Sequence, residues 1–196
     1  MTIEKGSPYG APGRLPDDGV VVDDDSAARH VLEDARRRNR PFPVLGLRGG
    51  DLARTLGGGH GRLAVTFPVD VGEVLIDGRI HLFVAHLIVH SRTWSYAFVA
   101  MNGQWRGDWN LGPRAHPNDG KLDTYEARLP VADRFKVRNR LHHGGHLPHP
   151  GITERRIEAT QVTLPRPLPV ILDGEAVATG RNLSVRVIPD AVTVVV

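Results

Sequence analysis

Cysteine is absent from this chain of 196 residues, which removes disulfides, cysteine-ligated zinc and thiol nucleophiles together. The absence fits a reducing compartment. Long apolar runs are missing too, and none approaches the roughly 20 residues that a bilayer-spanning helix needs. The opening MTIEKGSPYGAPGRLPDDG has no apolar core of the kind a secretory signal requires, so the sequence predicts a cytoplasmic protein. Net charge is nearly balanced at +3, because Arg36-Arg37-Arg38 is offset by acidic clusters such as Asp23-Asp24-Asp25. The basic residues are not interleaved with aromatics on a stripe, and nucleic acid is not expected as a partner. The small positive excess permits contact with an anionic membrane surface or a phosphorylated ligand, although Arg36 to Arg38 reads first as a solvated helix face.

What is present suits one domain of ordinary size, or a small domain with a fragment of a second. Residues Met1 to Asp18, rich in Gly, Pro and charge, predict a flexible arm. Gly19 to Val22 form a short strand candidate, followed by Asp23-Asp24-Asp25-Ser26. A helix comes next, with Ala28 and Leu32 beside Ala27, Val31 and Ala35 on adjacent stripes, a cap at Asp25 or Ser26, and a stop at Asn39 and Pro41. Pro43 to Leu47 reads as a second strand. Arg48-Gly49-Gly50-Asp51 then leads into a short helix that closes at Gly57-Gly58-Gly59. Such a turn at a helix N-terminus offers free backbone N–H groups to an anion, while Asp51 is equally a good N-cap.

From about Leu63 the pattern is β throughout. Strand candidates are Leu63 to Phe67, Val69 to Ile76, Ile80 to Val89 and Trp94 to Met101, with Asp77-Gly78 marking a two-residue hairpin. The most organised stretch is Phe98 to Ala127, in which an apolar strand runs through Asn102-Gly103 and Gly112-Pro113 into the turn Pro117-Asn118-Asp119-Gly120. Further strands are expected over Arg155 to Leu164, Val170 to Leu172, Ala176 to Ala178, Leu183 to Val187 and Ala191 to Val196, a spacing that suits a sandwich. Between them, His142, His143, His146 and His149 lie in a Gly/Pro loop without regular spacing, so a shaped loop is expected there before a metal centre.

Five segments stand in an informative order: RGGDLARTLGG (48 to 58), VDVGEVLIDGR (69 to 79), VAMNGQWRGDWNLGPRAHPNDGKLD (99 to 123), GGHLPHPGI (144 to 152) and LPVILDGEAV (168 to 177). Together they resemble the bacterial diacylglycerol kinases and related lipid kinases, over most of the chain from about Val20 onward. The resemblance implies an α+β protein of NAD kinase-like fold. Residues 1–18 would be the arm, 19–60 a truncated α/β nucleotide-domain remnant, and 61–196 a mainly β-sandwich lipid-side domain, with the active site between the last two. In such enzymes ATP supplies the phosphoryl group, Mg2+ offsets phosphate charge and a carboxylate takes the lipid hydroxyl proton. By position, Glu175 matches the general base. Asp51, with Gly49 and Gly50, matches the loop that contributes to the nucleotide and magnesium network. Asp119 matches the carboxylate of a second magnesium site, completed by backbone carbonyls near His116 and Lys121.

The chain departs from that pattern in two places. Where the family carries Gly-Gly-Asp-Gly-Thr, this sequence reads Asp23-Asp24-Asp25-Ser26-Ala27, so the central acid Asp25 survives and every glycine has gained a side chain. Glycine lets backbone N–H groups approach phosphates, and each extra carboxylate within reach of a triphosphate costs on the order of 1 kcal/mol even with water-like screening. The family's preceding strand and helix units also have no counterpart before Val20. The expectation is therefore a non-catalytic, pseudokinase-like member that binds lipid or regulates, in the cytoplasm or peripherally at a membrane. The alternative is an active ATP- and Mg-dependent lipid kinase, alone or completed by a partner chain. A sheet trimmed to two strands must also pack onto the β domain, form a homodimer or join a separate nucleotide-domain partner.

Overall fold

The computed structural model describes residues 9–58 and 64–196. The chain opens with β1 (Ala11–Pro12), β2 (Val20–Val22), α1 (Asp25–Arg37), β3 (Leu45–Leu47) and α2 (Asp51–Thr55). There follow β4 (Val65–Ile76), β5 (Arg79–Phe83), β6 (His86–His90), β7 (Tyr96–Met101), the two short strands β8 (Trp105–Arg106) and β9 (Trp109–Asn110), and β10 (Leu122–Arg128). A helix, α3 (Val131–Arg140), and a 3-10 turn (Leu141–His143) precede β11 (Ile152–Ile157), β12 (Ala159–Leu172) and β13 (Glu175–Val195).

α1 forms where the periodicity places it. Asp24 caps it by accepting a hydrogen bond from the Ala27 amide, Ala28, Leu32 and Ala35 are its buried face, and Arg36 and Arg37 complement the dipole in its last turn. Its end is set by Asn39 at a positive φ of 51°. β2 and β3 pair in parallel, and β3 pairs in parallel with the end of β13, Val194 opposite Leu45 and Val195 opposite Gly46. The parallel pair thus gains a third neighbour from the chain's last strand. One hydrophobic core is shared accordingly: Leu32, Leu45 and Leu52 pack with Val69, Val71 and Val194. A second core fills the sandwich, built on Phe83, Leu87, Leu164, Leu172 and Val185.

The hairpin at Asp77-Gly78 is present, with both residues at positive φ and Ile76 paired to Arg79. Several segments differ from their sequence-based expectation. The single strand expected over Ile80 to Val89 is broken at Val84-Ala85, where the Asp173 carboxylate accepts hydrogen bonds from the amides of Val84, Ala85 and His86 and the chain passes from pairing with β4 to pairing with β7. Three short strands expected after Ala176 are one strand, β13, whose register against β4 shifts between Ile188 and Val192. The arm is anchored from Tyr9 onward. Tyr9 packs on Phe67 and donates its hydroxyl to the Pro68 carbonyl, and β1 pairs with β4. The rest of that arm, residues 1–8, lies outside the described residues, as do Gly59 of the triple-glycine stop and the Leu63 start of a strand candidate. α3 is an element that periodicity did not indicate.

Candidate functional site

The starts of α1 and α2 meet, and each is occupied by a carboxylate. Asp24 accepts from the Ala27 amide and the Ser26 hydroxyl, both at 2.8 Å, and these bonds hold its carboxyl below the usual range. Asp25, one residue on, is buried and turns to the other helix, accepting from the amides of Asp51 at 2.5 Å and Leu52 at 3.2 Å. Gly50 makes this approach possible, since its φ is +97° and a Cβ there would lie 2.5 Å from the Asp25 carboxylate. Burial, aided by the nearby Asp173, pushes the Asp25 carboxyl up to about 7. Gly49 lies equally close to its neighbour, with a Cβ meeting the Asp23 carbonyl at 2.7 Å.

Asp51 faces away from Asp25, toward β6 and the turn after β8. Its carboxylate meets His86 Nε2 at 3.0 Å and accepts from the Gly107 amide at 2.7 Å. Burial opposes its ionisation, but those hydrogen bonds outweigh it and hold Asp51 below the ordinary carboxylate range. His86 is buried, which favours its neutral form, yet the bond to Asp51 and the charge of Asp173 raise it overall. Asp173 completes the cluster. It occupies the tight turn between β12 and β13 with Gly174, both at positive φ, and lies fully within the fold, where burial raises its carboxyl. Asp25, Asp51 and Asp173, separate in sequence, are therefore brought to one place.

Glu175 stands at the rim of the same cluster. Its Oε2 is ion-paired to the buried Arg29 and lies 3.1 Å from His30 Nε2, both on α1. Arg29 reaches Glu33 as well, at 3.4 Å. The side chain expected as a proton acceptor is thus clasped by two basic residues of the neighbouring helix.

The loop that carries Asp119 is ordered by other means. Asp70, buried on β4, accepts from the amides of Gly120 at 2.7 Å and Asp190 at 2.8 Å, and the Asn118 side chain bridges toward both acids. Asp119 accepts from the Lys121 amide at 3.0 Å and is paired with Arg156. Arg156 Nε also approaches Asp123 at 3.1 Å, although without hydrogen-bond geometry, and burial lifts the Asp123 carboxyl to about 6. His116 turns its Nδ1 to the Asn118 amide and its ring to Tyr9, and burial lowers its basicity. Among the described residues, no group of three or more His, Cys, Asp or Glu side chains is placed to hold a metal ion.

Over β7 and β10, α3 roofs an apolar cavity of about 280 Å³. Val99 and Tyr125 line its floor, Val137 and Leu141 descend from the helix, and His146 closes one wall. The histidine-rich loop therefore shapes a pocket, with His149 accepting from the Gly151 amide at 3.0 Å and His142 lying 3.2 Å from the Asp108 carbonyl. The cavity wall carries two buried polar atoms with no hydrogen-bond partner, Tyr125 Oη and His146 Nδ1. No helix among the described residues is long and apolar enough to cross a membrane.

Sequence reasoning indicated Asp25, Asp51 and Glu175 but not Arg29, His86, Arg156 or the α3 roof. The one local signal for His86 is a polar residue interrupting the run Leu82 to Val89, and it gives no hint of its partner.

The family model of the YegS C-terminal NAD kinase beta sandwich-like domain matches residues 64–196. The chain belongs to that family. Its architecture agrees with solved structures from Bacillus anthracis str. Sterne. A candidate diacylglycerol kinase superposes with a TM-score of 0.67 at 13% identity, covering 91% of this chain and 78% of that one. Another gives 0.65 at 14% over the same shares, and a diacylglycerol kinase gives 0.62 at 15%, covering 91% and 76%. Identities this low establish the fold, which is lipid kinase-like and NAD kinase-like, and not the activity. No curated protein matches the chain.

Proposed function

We propose that this chain is a lipid-binding, non-catalytic member of the lipid kinase-like family. The observation that carries the reading is the cavity beneath α3, closed by apolar side chains and long-stemmed arginines, which suits an acyl chain. At about 280 Å³ it is at the small end of ligand pockets, so it takes one chain of a lipid and leaves the remainder outside.

The loss of phosphoryl transfer is supported by the helix starts. A polyphosphate cradle needs free backbone N–H groups at helix N-termini, and here Asp24 holds the Ala27 amide of α1 and Asp25 the Asp51 and Leu52 amides of α2. A nucleotide would have to displace buried or capping carboxylates and tolerate their charge, so the residues present do not fit ATP. Nor does a magnesium ion fit beside Asp119 as the loop stands, because the Arg156 guanidinium already supplies the positive charge and the loop is held by Asp70 accepting from the Gly120 amide. Glu175 serves as an anchor between β13 and α1.

The test is lipid retention against nucleotide response. Native mass spectrometry of protein incubated with diacylglycerol micelles is expected to show bound lipid, and Ala127→Phe, which fills the cavity, is expected to lose it. Mg-ATP is expected to leave the melting temperature unchanged. Transfer of labelled phosphate to diacylglycerol, abolished by Glu175→Gln, would overturn the proposal.

A further inference from the structure

Three of the cavity's lining residues are also among the most exposed large apolar side chains of the fold: Trp94 at 36%, Val131 at 60% and Phe135 at 68%. They therefore form its mouth. Scattered exposed apolar residues are ordinary, whereas three around one opening mark an interaction surface. From this juxtaposition we propose that the mouth of the α3 cavity docks onto an anionic bilayer surface, with Trp94, Val131 and Phe135 entering the interface.

The turn that presents Trp94 is built with unusual care. Trp94 has a φ of +57°, a conformation uncommon for a bulky side chain and maintained only when its surroundings enforce it. The enforcement is visible. The Trp94 amide donates to the Ser91 carbonyl at 2.8 Å, and the Ser91 hydroxyl accepts from the Tyr96 amide at 3.2 Å and meets the Ser95 hydroxyl at 3.0 Å. The indole stacks on His90 with ring centroids 3.8 Å apart. Arg134 of α3 ties the two lips together, donating to the Leu129 carbonyl at 2.9 Å and the Thr93 carbonyl at 2.8 Å. A tryptophan is thereby held out toward solvent beside a phenylalanine, and tryptophan favours the headgroup region of a membrane.

Charge identifies the partner. α3 carries Arg134, Lys136, Arg138 and Arg140 against the single acid Asp133, which Lys136 already pairs at 3.3 Å. Arg92 is exposed in the Trp94 turn, and Arg128 lies over Tyr96 with its charge partly met by Glu126. An apolar mouth set among basic side chains complements an anionic lipid surface, to which each added Lys or Arg contributes by long-range attraction. A second copy of the chain would bring the same basic face and repel it.

The inference rests on the lipid reading of the cavity but is tested apart from it. The full chain is sedimented with vesicles of mixed phosphatidylglycerol and phosphatidylcholine, and with pure phosphatidylcholine vesicles. Binding to the anionic vesicles is expected to be at least about tenfold stronger and to weaken with salt. The double variant Val131→Asp, Phe135→Asp changes exposed positions, so it should fold normally and bind at least about tenfold less. Trp94→Asn places a residue tolerant of positive φ in the turn and should abolish a blue shift of tryptophan emission on the vesicles. Equal binding to both vesicle types, binding to neither, or anionic binding unchanged in both variants overturns the proposal. So does a dimer abolished by Phe135→Asp without vesicle binding. If Ala127→Phe loses retained lipid yet still sediments like the wild type, or if the wild type retains no lipid but sediments as expected, docking is supported independently of the cavity's contents.

Discussion

Asp25 is the acid buried between the starts of α1 and α2, and its surroundings give it a measurable signature. Its folded-state pKa, about 7, lies above the value of a free aspartate, so the native chain binds this proton more tightly than the unfolded chain. The stabilisation is fully present below about pH 4 and is lost as pH rises through about 7. Asp24 and Asp51, held low, act in the opposite sense, losing their contribution only as pH falls below the usual carboxylate range. Between about pH 4 and 7 they are constant. Asp25→Asn should therefore gain stability relative to wild type across that window, by on the order of a few kcal/mol, in urea unfolding at pH 4.5 and 7.5. Parallel profiles for the two proteins would refute the assignment. The position of Asp25 was legible because the family motif fixes an acid between a strand and a helix. Its actual hydrogen bonds were not, since they depend on Asp51 and Leu52, which lie beyond the rest of α1 and all of β3. Arg29, His86 and Arg156 carry no motif at all: each is one polar residue whose partner is set by tertiary contact.

α3 shows why an element can escape a periodicity argument. Its apolar residues divide between two stripes: Val137, with Leu141 of the following 3-10 turn, faces the core, while Val131 and Phe135, four apart, stand exposed at the cavity mouth. No single amphipathic face results, and Pro130 before it reads as a break. The helix owes its place to anchoring, which makes Arg134 its most sensitive residue. Arg134→Ala removes two hydrogen bonds from a charged donor and should cost about 1–3 kcal/mol of local stability. Lys136→Ala breaks only an exposed pair and should cost less than about 0.5 kcal/mol. Hydrogen exchange separates the two: α3 amides should exchange at least about tenfold faster in the first variant and nearly unchanged in the second. The strands were easier to read. Asp77-Gly78 specifies its hairpin locally, whereas the break before β6 depends on Asp173, far along the chain, and could not be seen in the residues that break.

At the scale of the whole molecule, the start of the family match at residue 64 divides an α/β segment from a mainly β segment, but the packing crosses that division. β3 adds to the end of β13, and Arg36 of α1 reaches Glu73 of β4 at 2.6 Å, which in turn accepts from Arg186 at 2.6 Å. The shared core removes apolar surface of both segments from water, so neither side can melt without exposing the other. The full chain should thus unfold in one step, with tryptophan emission, which reports on Trp94, Trp105 and Trp109, and helical circular dichroism, to which α1 contributes strongly, giving coincident urea transitions. Residues 64–196 alone, the part the family model matches, would leave Val69, Val71, Leu82 and Val194 without α1, α2 and β3 against them. At roughly 25 cal/mol per Å² of apolar surface returned to water, losing the cover of even a few such side chains amounts to several kcal/mol, comparable with the whole stability of a typical domain. That fragment should bind an apolar dye and aggregate where the full chain does not. Two separated transitions in the full chain, or a monomeric and cooperatively folding fragment, would show that the segments are independent and that the α/β portion is an appendage.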